Sequence, residues 1–276
     1  MRGLFLASAC VCILAVITIS AFLFLNGLPF FRAYSVFDFV TGTEWAPLRG
    51  VFGILPMIVG SFYVTFGALL LGAPIGILTA ILMSRFAPKW VVKAMKPAVA
   101  LLAGIPSVVY GFFGVMLLVP FVRDTFGGTG KSVLVASVLL AIMILPTIVQ
   151  TSLAALDAVP QPYYEGSLAL GATHESSVFR SVVPAARPGI VSGVVLGIGR
   201  AIGETMAIIM VAGNNPRMPG DILKGVRTMT VNVLMEMGYA ADLHRESLIA
   251  TGVILFIIVM AINFIFSFIN RRRVLQ

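Results

Sequence analysis

Charge is scarce in this chain. Its 276 residues include 19 Lys and Arg and 11 Asp and Glu, so only 11% are charged, where a soluble domain carries about 25%. With 59% of the residues hydrophobic, an ordinary soluble fold is excluded, because a core of this size cannot hide so much apolar surface. Cysteine is nearly absent. Cys10 and Cys12 are the two present, and side chains two apart on a helix face different ways, which excludes a disulfide framework and a thiolate metal site. His174 and His244 are the two histidines. They are far apart, without metal-ligand spacing, and are expected in surface loops. No paired carboxylates, His/Cys cluster or serine–histidine spacing at a membrane face suggests an enzyme. The 13 methionines and 20 phenylalanines read as lipid-facing and packing residues.

What is present is a set of long hydrophobic runs. No Asp, Glu, Lys or Arg occurs between Arg2 and Arg32, Arg49 and Arg85, Lys96 and Arg123, Lys131 and Asp157, or Glu246 and Arg271. Each gap exceeds the roughly 20 apolar residues that span a bilayer core. A sixth run, from about Gly189 to Ala212, is interrupted only by Arg200 and Glu204. The expectation is an all-α, polytopic bundle of six transmembrane helices forming one domain over residues 1–276. The helices are placed near 4–28, 54–84, 98–122, 132–150, 189–212 and 247–270, with a long loop at 151–188. "LASAC" before Val11 has the look of a lipoprotein cleavage site. Too few apolar residues precede it for a signal h-region of about 7–15, so a retained first helix is expected.

Lys and Arg near helix ends set orientation. The dense, acid-free stretches "RFAPKWVVKAMK" and "RRR" place both termini and the 151–188 loop on the cytoplasmic side. The net charge of +8 then reflects topology and anionic lipid headgroups, with no need of nucleic acid. "GGTGKS", Gly127 to Ser132, looks like the end of a phosphate-binding P-loop. The full pattern needs a glycine five residues before Gly130, and Thr125 stands there. The run also lies in a short outer loop between helices, without the strand and α/β domain that a P-loop requires. It is expected to be a glycine-rich turn followed by a helix starting at Ser132.

The inner loop carries more information. From Gln161 to Leu170 the spacing predicts a short amphipathic helix, and Gly171 supplies a turn that favours positive φ. Thr173 is a candidate N-cap for a second helix running to about Val183 and ending at Pro184. Helix, tight turn and helix on the cytoplasmic face form a knob suited to a soluble partner. This loop resembles the "EAA" loop of ATP-binding-cassette importer permeases, E-A-A-x3-G-x9-I-x-L-P. Glu165, Gly171 and Pro184 match at the right spacing. Gly166 and Ser167 replace the alanines, Ser181 the isoleucine and Val183 the leucine. "LLAGIPSVVYGFFG" (101–114), "LAIMILPTIVQ" (140–150), "GIGRAIGETMAIIMVAGN" (197–214) and "RTMTVNVLMEMGYA" (227–240) look like the phosphate-specific permeases of the PstC type. The similarity runs from about Phe39 to Arg271.

That resemblance implies the type I importer permease fold with a cytoplasmic coupling helix, in a bacterial inner membrane. It implies a second, similar permease, two copies of a soluble ATPase subunit and a periplasmic phosphate-binding protein. ATP would be used by the ATPase subunit, and this chain would bind no cofactor and do no covalent chemistry. Glu165, Gly166, Ser167, Gly171 and Pro184 would belong to the dock. Molybdate or sulfate as cargo, and a gradient-driven carrier working alone, remain as alternatives.

Arg200 and Glu204 stand out within the fifth run. A helix starting near Gly189 puts Arg200 about 16 Å in, mid-bilayer, where a charge should face the bundle interior and have a partner. Glu204 is four residues on and within reach on a helix. Gly189, Gly193 and Gly197 form a ridge that lets another helix come close. The pair reads as a lining of the translocation path, as a gate, or as a static ion pair fixing helix register. Ser107 and Tyr110, beside a proline kink at Pro106, either line the path or pack around the kink.

Overall fold

The computed structural model describes residues 2–274. Six helical stretches among them are long and apolar enough to cross a bilayer: Gly3–Ala33, Leu55–Phe86, Ser107–Phe126, Val133–Asp157, His174–Gly203 and Asp242–Phe266. The helices in chain order are α1 (Arg2–Gly27), α2 (Phe30–Ala33), α3 (Val36–Thr41), α4 (Leu55–Ile81), α5 (Lys89–Gly104), α6 (Ser107–Phe113), α7 (Val119–Phe126), α8 (Val133–Asp157), α9 (Gln161–Ala169), α10 (His174–Ser177), α11 (Val183–Gly203), α12 (Met206–Val211), α13 (Met229–Glu236) and α14 (Asp242–Val274). A two-stranded hairpin, β1 (Trp45–Ala46) and β2 (Val51–Phe52), precedes α4.

α8 is the central post, packed along α4 on one side and α11 on the other. Small residues set this spacing. Gly72 on α4 faces the Ala141 carbonyl, and on α11 Gly193 faces Thr151 and Gly197 faces Ile148. A Cβ at Gly193 would lie 3.1 Å from Thr151, so the expected small-residue ridge is where α11 meets α8. α1 lies along α14 at the rim, with Phe24 and Phe256 edge to face at 6.0 Å.

Several boundaries differ from the sequence expectation. α8 does not end near residue 150 but continues to Asp157, because Leu153 and Leu156 extend its apolar face against Val178, Val182 and Ile190. The connector to the next span is therefore much shorter than 151–188. The third span is broken rather than kinked. Ile105 and Pro106 are both extended, at φ/ψ −68/126 and −59/141, since a proline disfavours helix at the residue before it. Pro184 does not end the second helix of the 161–184 segment. A π-helical turn over Val178–Val182 lets the chain run on from α10 into α11, with the Val183 N–H bonded to the Val178 carbonyl. Pro184, lacking an N–H, follows this π-helical turn directly, where the changed register accommodates its missing donor.

The connection between α12 and α14 is not a loose loop. Gly60 on α4 lets the chain approach closely, since a Cβ there would lie 2.7 Å from the Arg227 carbonyl. The Met229 N–H donates to Ser61 Oγ at 3.0 Å. α13 is thus laid against the bundle. The GGTGKS stretch is the expected turn: Gly127, Gly128 and Gly130 all have positive φ, and Ser132 caps α8 by accepting from the Val135 N–H.

Candidate functional site

Two helix breaks meet at one cavity. The first is at Ile105–Pro106, below Ser107. The second follows Gly203, where Glu204 is extended at φ/ψ −70/129 and α12 begins again at Met206. Between them lies an open cavity of about 550 Å³ lined by Ser107, Glu204, Thr205, Thr230 and the apolar Met206 and Leu255, among others. Interrupted helices leave backbone polar groups at membrane depth, and they persist only where those groups find partners or line a cavity.

The local hydrogen bonds explain why the second break holds. Glu204 Oε1 accepts from the N–H groups of Thr205 at 3.2 Å and Ala207 at 3.1 Å, so its carboxylate caps the restarted helix. Thr205 donates to the Gly203 carbonyl, and Thr230 of α13 donates to the Glu204 carbonyl. The expected Arg200–Glu204 ion pair is absent among the described residues. Once the chain turns out of the helix at Gly203, the i, i+4 geometry that would join them is lost. Arg200 points toward α8 instead, with Nη1 3.5 Å from Thr147 Oγ1. Thr147 is 14 residues beyond Val133 in α8, about 21 Å along it, so Arg200 meets α8 near the middle of its length.

The structure therefore brings Ser107 and Glu204 to the same cavity, whereas Arg200 and Tyr110 are not among the residues that line it. Tyr110 is buried, and its hydroxyl donates to the Leu102 carbonyl at 2.8 Å across the first break. Thr205 and Thr230 were not singled out from the sequence. Thr230 sits in what reads as an outer loop, and only the folding of α13 onto the bundle carries it inward.

The 161–177 segment forms the expected helix, tight turn and helix, although its first helix buries no residue and so is not the amphipathic one expected. α9 covers Gln161–Ala169, and Gly171 has φ +85. The N–H groups of Gly171 and Ala172 bond back to the carbonyls of Leu168 and Ser167, the double closure of a Schellman turn. Thr173 caps α10 by accepting from Ser176. Glu165 and Gly166 are exposed, Ser167 is half-buried, and nothing lies within 4 Å of a Cβ built at Gly166 or Gly171. Leu170 at the tip is 92% exposed. Pro184 lies apart from them on α11.

A second polar centre sits at the opposite end of the bundle. Glu236 is buried and receives Arg227 Nη1 at 2.6 Å, Trp45 Nε1 at 2.8 Å and His244 Nε2 at 2.9 Å. Arg227 also reaches Asn232 Oδ1 and the Asn214 carbonyl. His244 is therefore part of a network rather than a surface residue. His174 likewise starts α10 with its ring bonded to Tyr164. At the nearby Tyr239, burial pushes the phenol pKa up; the Glu236 carboxylate adds to this and Arg227 opposes it.

Six membrane-length helical stretches, two of them bounded by breaks at a largely apolar cavity that Ser107, Glu204, Thr205 and Thr230 edge, with a small helix projecting at one end, define a multi-pass membrane permease. The chain belongs to the binding-protein-dependent transport system inner membrane component family, whose model matches residues 72–274. It is 38% identical to the "Probable ABC transporter permease protein YqgH" of Bacillus subtilis, over 99% of this chain and 91% of that one. It is 35% identical to the "Phosphate transport system permease protein PstC" of Mesorhizobium japonicum, over 82% of this chain and 76% of that one. Among solved structures, an inward-facing MetNI methionine ABC transporter shares the fold at TM-score 0.59 and 22% identity, covering 82% of this chain and 95% of that one.

Proposed function

We propose that this chain is the permease subunit of an ATP-driven importer that carries inorganic phosphate inward across a bacterial inner membrane. The observation that carries the proposal is the cavity at two helix breaks within the membrane-spanning bundle, with Ser107, Glu204, Thr205 and Thr230 in its lining and Arg200 on the helix that ends at the second break. Polar groups at that depth are expensive and mark a substrate pathway. Phosphate as cargo is supported by relatives of the PstC type at 30–35% identity that align with most of this chain.

In this reading both termini are cytoplasmic. A second permease completes the pathway, and a periplasmic binding protein delivers phosphate at the end bearing Trp45 and α13. ATP is bound and split by two copies of a separate subunit, one of which docks on α9 around Glu165, Gly166, Ser167 and Gly171. The exposed Leu170 at the end of a helix that also exposes Glu165 is the kind of surface that a soluble partner covers. ATP binding draws the docks together, and the spans tilt so that the cavity opens first outward and then inward. Arg200 attracts the oxyanion along the path.

Competition in membrane vesicles holding the assembled complex tests the cargo. Uptake of labelled phosphate should be suppressed by unlabelled phosphate and left intact by equal sulfate or molybdate. Absence of labelled-phosphate uptake, with ATP-dependent uptake of labelled molybdate or sulfate in its place, would reassign the cargo.

A further inference from the structure

α9 carries no fully buried residue, and Tyr164 forms its tie to the rest of the bundle. The Tyr164 hydroxyl meets His174 Nδ1 at 2.7 Å, and the two rings are edge to face at 5.7 Å. The Arg85 guanidinium carbon stands 5.8 Å from the centre of the Tyr164 ring, within cation–π range. Phe86 packs edge-on to His174 at 4.8 Å and touches Phe179 at 6.2 Å. Arg85 Nη2 also donates to the Leu156 carbonyl, and Ser84 to Asp157, both at the end of α8.

The backbone at this cluster is unusual on both sides. Arg85 and Phe86 lie in a π-helical turn, Leu82–Phe86, that ends the α4 span. Phe179 lies in the other, Val178–Val182, between α10 and α11. Such turns trade regular bonding for a local change of helix register and collect at functional sites. Arg85 Nε is buried and has no partner, so the cluster is incompletely satisfied as it stands, as suits a contact that changes partners.

We propose that Tyr164, His174 and Arg85 form the joint that carries movement of α9 into the two flanking spans, and that they are positioning residues for transport. The inference rests on α9 being the ATPase dock. Motion of α9 pulls on His174 through the hydroxyl–imidazole bond and on Arg85 through the ring face, and the two π-helical turns absorb the register change.

The test compares wild type, Tyr164→Phe and His174→Leu, each purified with its partner subunits and reconstituted with the binding protein. ATPase co-purification, ATP hydrolysis and labelled phosphate uptake are measured on the same proteoliposomes. Tyr164→Phe keeps the ring and removes only the bond. Hydrolysis should stay within about twofold while phosphate moved per ATP falls about fivefold, the weight of one ordinary hydrogen bond. His174→Leu should do the same, and the double variant should add little, because the two residues act as one unit. His174→Asn, which keeps an acceptor, should recover part of the loss. An unchanged ratio in Tyr164→Phe overturns the joint. So does a parallel loss of ATPase subunit, hydrolysis and uptake, which assigns Tyr164 a purely structural role. Wild-type uptake that needs no ATP would instead remove the dock itself, and the joint with it.

Discussion

The Glu204 carboxylate receives the Ala207 N–H at 3.1 Å across the break between α11 and α12. It therefore occupies the position at the start of α12 where a helix N-terminus attracts an anion. Arg200, one turn earlier, is engaged with Thr147. In a continuous helix the same two residues would pair, so the break and the pairing are alternatives. Transport that reshapes this segment would exchange one for the other.

A double-mutant cycle measures this directly. With Arg200→Gln and Glu204→Gln, thermal unfolding of the purified complex should give a coupling energy within about 0.5 kcal/mol of zero, as for residues without a shared contact. A coupling above about 1 kcal/mol would mean that the two side chains are paired in the resting state. Glu204→Ala, which removes the cap, should destabilise by about 1 kcal/mol.

Glu236 should be the most sensitive polar residue at the end of the bundle away from α9. Its side chain is 8% exposed and that of Arg227 12%, so removing the carboxylate strands a buried guanidinium. Glu236→Ala should destabilise by about 3 kcal/mol or more in the same unfolding measurement. Glu236→Gln, which retains an acceptor, should do less harm. Equal effects from the two would assign the stability to the carboxylate's charge, which both variants remove, rather than to its packing or its capacity to accept.

Lys131 should prove irrelevant to ATP. It follows a turn between α7 and α8, so Lys131→Ala should leave ATP hydrolysis by the assembled complex within about twofold, a change small beside that of any real barrier contribution. Gly130→Ala, by contrast, should hurt folding. Its φ is +75, and an added Cβ would run into the Val119 carbonyl, so destabilisation beyond the roughly 1 kcal/mol of ordinary glycine replacement is expected. Gly128, with similar φ and open space around it, should show only that smaller effect.

Glu165→Lys reverses the one acidic charge on α9. If α9 is the dock, the ATPase subunit should be recovered at a small fraction of the wild-type yield on co-purification, since like-sign contacts and unpaired charges at an interface cost several kcal/mol. Full recovery would move the dock elsewhere.

The spans were legible because lipid tolerates so little charge: runs free of Lys, Arg, Asp and Glu can be read without knowing what packs on what. The Gly171 turn was legible for a similar local reason, a backbone conformation that few other residues adopt. The breaks were not. Pro106 signals a disturbed helix, but whether it bends or separates depends on Tyr110 bridging to Leu102. At Glu204 the spacing from Arg200 suits an ion pair and a helix cap equally well, and tertiary contact with Thr230 favours the cap. The Glu236 network was invisible, since Trp45 and Glu236 are separated by 191 positions in the chain. The joint at Tyr164 was hidden for the same reason, because Arg85 reaches it only after α4 and α8 have packed.

The most direct test of the account is phosphate uptake into proteoliposomes containing both permeases, the ATPase subunits and the binding protein, with and without ATP. The account predicts uptake only with ATP and the binding protein together, unaffected by collapsing ion gradients. Uptake that follows an ion gradient and continues without ATP would contradict it and make this chain a self-contained carrier.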